Sequence, residues 1–318
     1  MATVMLFTAR RLAGVLATLL VTSVAIFGAL AVAPGDPAAA LAGGTLPNAA
    51  TLAAIRAEYH LDDPFWTQYW HWLSGLLSGD LGTSVVYRSD VSSLLAGRTV
   101  NTLMLVCYAG LLIVGFGVGA GVLAALRGGR VNTGITVGTT VAMGVPTFVL
   151  AIVLIWIFAT RLSWFPIYGS GDTFTGKLRH LTLPAIALSF SYIAYVARIT
   201  RAAVVAELHS EHVDTARGRG LPHRTIIRHH VLRNAAGPIT TISGTMIASL
   251  VAGTAVAEAA FGVNGLGSLL IQSALRQDLA VVQILSMFMV GVFVAVNTLV
   301  DVVNVALDPR LAKGGRTA

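Results

Sequence analysis

Six intervals of this chain contain no Asp, Glu, Lys or Arg and are long enough to cross a bilayer. They lie between Arg11 and Asp36, Arg98 and Arg127, Arg130 and Arg161, Arg179 and Arg198, Arg233 and Glu258, and Asp278 and Asp301. Each is rich in Leu, Val, Ile, Ala and Phe, and a helix crossing the hydrocarbon core needs about 20 apolar residues. The reading is an all-α polytopic membrane protein with six transmembrane helices, near 12–33, 99–126, 134–160, 181–203, 236–260 and 280–304. Residues 37–55 are also uncharged, but Pro37, Gly43, Gly44, Pro47 and Asn48 interrupt them, so they read as a loop.

Composition agrees. Only 11% of residues are charged and 55% are hydrophobic, against about 25% charged in a soluble domain. That excludes a water-soluble enzyme and a disordered chain. The single cysteine, Cys107, excludes an intramolecular disulfide and a multi-cysteine metal site. The net charge of +7 is not gathered on a soluble face, so no nucleic acid partner is expected. The first span has a basic start, Arg10 and Arg11, and Ala31-Val32-Ala33 resembles a cleavage site. Its apolar run exceeds the roughly 7–15 residues of a signal core, so it reads as a retained helix.

Lys and Arg gather on the cytoplasmic side of membrane proteins. Arg10 and Arg11, Arg127 and Arg130, the group from Arg198 to Arg233, and Arg310, Lys313 and Arg316 all fall on one side. Both termini are therefore expected in the cytoplasm. Arg161, Lys177 and Arg179 fall on the other side, against this trend. The chain divides into 1–98 (first span and extracytoplasmic segment), a core of five spans over 99–311 with a cytoplasmic loop at 204–234, and a tail at 312–318.

Within the first segment, Trp66, Tyr69, Trp70, Leu73, Leu76 and Leu77 recur at helical spacing. An amphipathic helix over 64–78 follows, lying at the outer surface, packed on the helix bundle, or both. In the second span, Gly115/Gly119 and Gly117/Gly121 form small-xxx-small pairs that let another helix approach closely. Close packing is the default for them and a hinge the sharper reading.

The loop 207–234 reads ELHSEHVDTARGRGLPHRTIIRHHVLRN. From Asp214 to Gly220 it has an acid, two small residues, three variable residues and a glycine. Such a helix ends at a residue able to take a left-handed backbone. Spacing alone favours a solvated basic loop that only fixes topology.

This stretch resembles the EAA loop of ABC importer permeases, with its Glu-Ala-Ala, three residues, Gly pattern. The form most like it is that of dipeptide and oligopeptide permeases, whose similar run ends as His230-Val231-Leu232-Arg233-Asn234 does here. Other stretches agree in order: Pro34-Gly35-Asp36-Pro37, Leu61-Asp62-Asp63-Pro64, Gly79-Asp80-Leu81-Gly82, Gly262-Val263-Asn264-Gly265-Leu266-Gly267 and Asp308-Pro309-Arg310. The resemblance spans residues 7 to 311. Two departures stand out: Asp214, where peptide permeases often have Arg, and Gly218, where Ala is usual.

The resemblance implies the type I ABC importer permease fold and a bacterial inner-membrane location. It implies a subunit that forms half of a pore with a second, similar permease, most often as a heterodimer. Two ABC ATPase domains would dock on a coupling helix at 211–220, through Glu211, Asp214, Thr215, Ala216, Arg217 and Gly220. The small Ala216 and Gly220 are expected to face the ATPase groove. An extracytoplasmic binding protein would deliver dipeptides or oligopeptides; nickel chelates, glutathione and oligosaccharides are served by the same family. No G-x-x-x-x-G-K-[ST] motif occurs, so ATP and Mg²⁺ would be used by the partners, and this chain would be non-catalytic and carry no cofactor.

His209, His212, His229 and His230 lack a metalloprotease spacing and read as solvated residues of a docking loop, with no metal site expected. Glu258 and Asp301 sit at or inside span ends, where a carboxylate is costly. Glu258, with Gly265 and Gly267, is assigned to a gate or an outer contact, and Asp301 to pairing with an Arg. The reading from a different class is a stand-alone channel or secondary transporter. The absence of an internal repeat and the single long cytoplasmic loop weigh against it.

Overall fold

The computed structural model describes residues 2–32, 38, 48–58, 60–84 and 86–307. Two of the quoted motif stretches, 34–37 and 308–310, lie outside the described residues, as does the 312–318 tail. The chain is a helical bundle. α1 (Ala2–Ala31) is followed by α2 (Ala49–Glu58) and α3 (Phe65–Ser78). A two-residue antiparallel pairing of β1 (Thr83–Ser84) and β2 (Ser89–Asp90) leads into α4 (Val91–Leu112). Then come α5 (Gly119–Arg127), α6 (Gly129–Gly144), α7 (Thr147–Leu154), α8 (Phe174–Leu208) and α9 (Glu211–Gly218). The chain continues through α10 (His223–Thr225), α11 (Leu232–Phe261), α12 (Leu266–Leu275) and α13 (Leu279–Leu307). Wider π-type turns at 113–118, 155–161 and 226–231 join or extend these helices without ending them.

Among the described residues, five helices are long and apolar enough to cross a membrane: Arg11–Ala29, Val91–Arg127, Phe174–Leu208, His223–Phe261 and Leu279–Val303. The third expected span, 134–160, is instead a helix pair bent by 101° between Gly144 and Thr147. Pro146 has no N–H to give to the preceding turn and forces the residue before it out of the helical region. Val145 is accordingly extended, at φ −86° and ψ 116°. Of the loop expected at 37–55, residues 39–47 lie outside the described residues, and 49–55 are instead helical, within Ala49–Glu58. Asn48 starts it by accepting from the Thr51 backbone N–H at 2.7 Å, an N-terminal cap. The domain boundary expected at 98 falls inside the helix that begins at Val91.

α8 is the central post. Leu181, Leu183, Leu188 and Val196 are buried against residues of α4, α7 and α11, and Val204 in a second cluster with α9 and α11. The two glycine pairs of the second span part company. A Cβ on Gly117 would meet Val196 at 2.9 Å, and one on Gly121 would meet the Ala197 carbonyl at 2.5 Å, so these two admit α8. Gly115 and Gly119 meet nothing and lie on the exposed face. α3 packs on the bundle, one of the two places foreseen for it. Tyr69 is buried, with its hydroxyl 2.8 Å from Ser23 Oγ, and Phe27 of α1 sits among Phe65, Tyr69 and Trp72. Trp66 and Trp70 face outward.

Candidate functional site

The two ends of the bundle present different chemistry. At one end the chain leaves α8 at Leu208, forms α9 and re-enters through α10. Glu211 and Asp214 occupy the first turn of α9 and Arg217 the last, matching the helix dipole at both ends. Arg217 Nη1 donates to Asp214 Oδ1 at 2.9 Å. Both side chains are exposed, and such a pair is worth about 0–1 kcal/mol. Gly220 has φ +72°, its N–H donates to the Arg217 carbonyl, and the Leu221 N–H donates to the Ala216 carbonyl. That is the Schellman ending, and it bears out the left-handed stop read from the sequence.

The apolar side of α9 is turned inward. Val213 and Ala216 are buried with Val204 of α8, with Ile226 and Val231, and with Ala235 of α11. Val122 and Ala125 of α5 pack on the same cluster. The outward orientation expected for Ala216 is therefore corrected: at 4% exposure it faces its own bundle. A helix with an i, i+3 apolar pair buries that stripe, and Ala is small enough for the close approach. Glu211, Asp214, Thr215, Arg217 and Gly220 remain on the exposed side. Of the four histidines of the 204–234 loop, His212 lies against Asn234 Nδ2 at 3.0 Å and Glu207 Oε2 at 3.4 Å.

At the other end, α11 closes in the same way. Gly262 takes φ +59°, and the Val263 N–H donates to the Glu258 carbonyl at 2.9 Å. Here, however, the polar group points in. The Glu258 carboxylate is fully buried. Thr102 Oγ donates to its Oε1 at 2.6 Å, and the Ser268 N–H in the first turn of α12 donates to its Oε2 at 2.8 Å. The Thr102 hydroxyl also accepts from the Leu266 N–H at 2.8 Å. One carboxylate thus ties α4, α11 and the N-terminus of α12 together, where helix N–H groups attract an anion. A Cβ on Gly265 would fall 2.3 Å from that carboxylate, and one on Gly267 would fall 2.5 Å from Ala255 Cα. Both glycines are close-approach positions. Glu258 therefore offers no side-chain surface to an outer partner, which corrects the outer-contact reading. Asp301 of α13 pairs with Arg11 of α1, the partner type foreseen for it.

The residues that sequence reasoning missed here are Thr102, Asn101 and Ser268. Asn101 Nδ2 donates to the Asn264 carbonyl at 2.9 Å, beside a polar recess of about 320 Å³ also lined by Ser170, Asp172 and Lys177. The available signal was the Asn101-Thr102 pair inside an otherwise apolar span, because buried polar residues require partners.

Comparison with known proteins gives one consistent picture. Residues 117–313 match the family described as binding-protein-dependent transport system inner membrane component, and residues 4–105 match its N-terminal companion. A probable peptide ABC transporter permease of Sinorhizobium fredii is 36% identical over 306 residues, covering 95% of this chain and 97% of that one. A glutathione transport system permease of Escherichia coli K12 is 33% identical over 303 residues, with the same coverage. Among solved structures, a chain of the inward-facing MetNI methionine ABC transporter aligns with TM-score 0.51 and 16% identity, covering 70% of this chain and 96% of that one. A chain of an amino acid ABC transporter aligns with TM-score 0.53 and 18% identity, covering 73% and 97%.

Proposed function

We propose, from the premise that this chain belongs to the family of inner-membrane components of binding-protein-dependent transport systems, that it forms half of the pore of an ATP-driven peptide importer. It is a permease subunit of such an importer, in the inner membrane. The peptide-transport names of its relatives support short peptides as cargo, and a glutathione permease among them lies within that class, since glutathione is a tripeptide. The second permease, similar but not identical, completes the pore. Two ATPase domains and an extracytoplasmic binding protein complete the machine. ATP and Mg²⁺ belong to the ATPases, and this chain contributes no catalytic group. The basic loops set both termini in the cytoplasm.

The observation that carries this reading is the mounting of Glu211–Gly218. Its polar face is free, while Val213 and Ala216 are wedged among the ends of α5, α8 and α11. A push on the free face has no compliant layer to dissipate it. Close-packed interiors transmit displacement rather than absorb it, so a tilt of α9 moves three span ends together. A contiguous packed element of this kind is the physical form through which coupling travels.

The test is uptake by the reconstituted complex with ATPases and binding protein. Gly220→Trp adds bulk on the exposed end of α9. Normal membrane level, lost peptide uptake and loss of ATP hydrolysis stimulated by the loaded binding protein are expected. Transport at the wild-type rate would end the coupling assignment. Peptide uptake driven by a proton gradient in liposomes holding this chain alone would replace the importer with a secondary transporter. Reporters fused near Gly44 and Arg219 must read on opposite sides, and the intact mass of the complex must contain a second permease.

A further inference from the structure

We propose that His60, Asp63 and His71 form a binding site for a divalent first-row transition-metal cation, on the outward turn between α2 and α3. The ligand atoms of all three side chains lie within 4.8 Å of one another, the one such group of three among the described residues. His60 Nδ1 is 3.4 Å from Asp63 Oδ2, and the two imidazole rings stand edge-on with centroids 5.1 Å apart. The four histidines of the 204–234 loop, which looked richer as a string, form no such group.

The backbone sets two of the three ligands in place. Gln68 of α3 donates through Nε2 to the Leu61 carbonyl at 2.9 Å and to the Asp63 carbonyl at 2.8 Å. The Leu61 N–H returns to the Arg56 carbonyl, and the Asp63 N–H to the His60 carbonyl. The turn is therefore stapled to both flanking helices. His60 itself takes φ +54°, a left-handed conformation that non-glycine residues seldom adopt. His71 projects from α3, which Tyr69 and Phe65 hold on α1.

The donor set selects the ion. Two imidazoles and one carboxylate suit zinc, cobalt, nickel or copper, whereas magnesium and calcium want oxygen donors throughout. Around an ion bonded at about 2.0–2.2 Å the three ligand atoms must close to about 3.5 Å from one another. Side-chain rotation would close this gap, since His60 and His71 are both exposed. Three protein ligands leave a fourth position for water. α3 itself is held at its C-terminal half, where Leu76 packs against the cluster that includes Val91, Leu266 and Leu285. A bound ion would clamp the 60–63 turn to α3.

The experiment uses the full chain, purified in detergent with a histidine-free affinity tag and stripped of metal. Zinc is titrated against a chromophoric chelator, and cobalt is followed by its visible absorption. Wild type should bind one equivalent at this site. His60→Gln, Asp63→Asn and His71→Gln should each weaken it by at least about tenfold. A variant with His209, His212, His229 and His230 all changed to Gln should retain it. Because the three ligands are at the surface, size-exclusion profiles should not change. Zinc should raise the melting temperature of wild type but not of His60→Gln/His71→Gln. Unchanged zinc affinity in that double variant, loss of binding in the four-histidine loop variant, or no zinc binding by wild type would overturn the proposal.

Discussion

The two ends of the bundle use one backbone device for opposite purposes. Both α9 and α11 stop at a glycine in the left-handed region, with the following N–H returned to the last turn. At Gly262 the chain folds back over a buried carboxylate, and Gly265 and Gly267 have no room for a methyl group. At Gly220 a Cβ would meet nothing, and every charged group of α9 faces outward. The first end is closed by its own contacts. The second is complete only on its inner side. A backbone motif therefore does not say whether a terminus is anchor or docking surface; the direction of the polar side chains does.

The contrast can be broken by substitution, and the largest expected effect is at Glu258. Glu258→Ala removes the acceptor for the Thr102 hydroxyl and the Ser268 N–H, leaving two buried donors without an acceptor. A loss of about 3 kcal/mol follows, read as a lower melting temperature in detergent and a lower membrane level. An unchanged melting temperature would mean that the clamp does not hold the fold.

Gly265→Ala comes next. Its methyl group would fall on the carboxylate, and overpacking of this kind costs about 1–3 kcal/mol. The same readout applies, and cobalt or zinc binding at His60 should be unaffected because the site lies on another element.

Gly220→Ala is smaller. Space is open there, so only the left-handed backbone is penalised, by about 1–2 kcal/mol. Equal losses for Gly220→Ala and Gly265→Ala would erase the difference between the two ends. Comparing Gly220→Ala with Gly220→Trp in uptake separates strain from bulk.

Gly218→Ala should stabilise. A Cβ at 218 meets nothing and the position is helical, so the gain is up to about 1 kcal/mol. Asp214→Arg breaks an exposed pair with Arg217 and puts a cation in the first turn of α9, so a loss of about 1 kcal/mol is expected. A larger loss would mean that Asp214 is held by more than Arg217.

Much of the site was legible at residue level. The acid, small residues and closing glycine of 214–220 located α9 and its left-handed stop, because cap chemistry is local. The inward turn of Ala216 was not legible. Its side depends on where Val204, Ile226 and Val231 stand, and the last two of these follow α9 in the chain. The separate fates of Gly115/Gly119 and Gly117/Gly121 were hidden for the same reason. Identical spacing gives two faces of one helix, and only the position of α8 tells them apart.

The sequence by itself determined the solvent and the number of crossings to within one broken span, since charge is excluded from hydrocarbon whatever the fold. It determined the family as well, through motifs in fixed order. The third span was read as unbroken; the bend after Gly144 emerged only in three dimensions, where α6 and α7 both rest on α8. Glu258 was visible as a costly charge. That it is a buried tie between α4, α11 and α12 was decided only in three dimensions, because its partner Thr102 is 156 residues away. Hydropathy is a property each residue carries into any structure; a hydrogen bond between distant residues exists only after packing has brought both ends together.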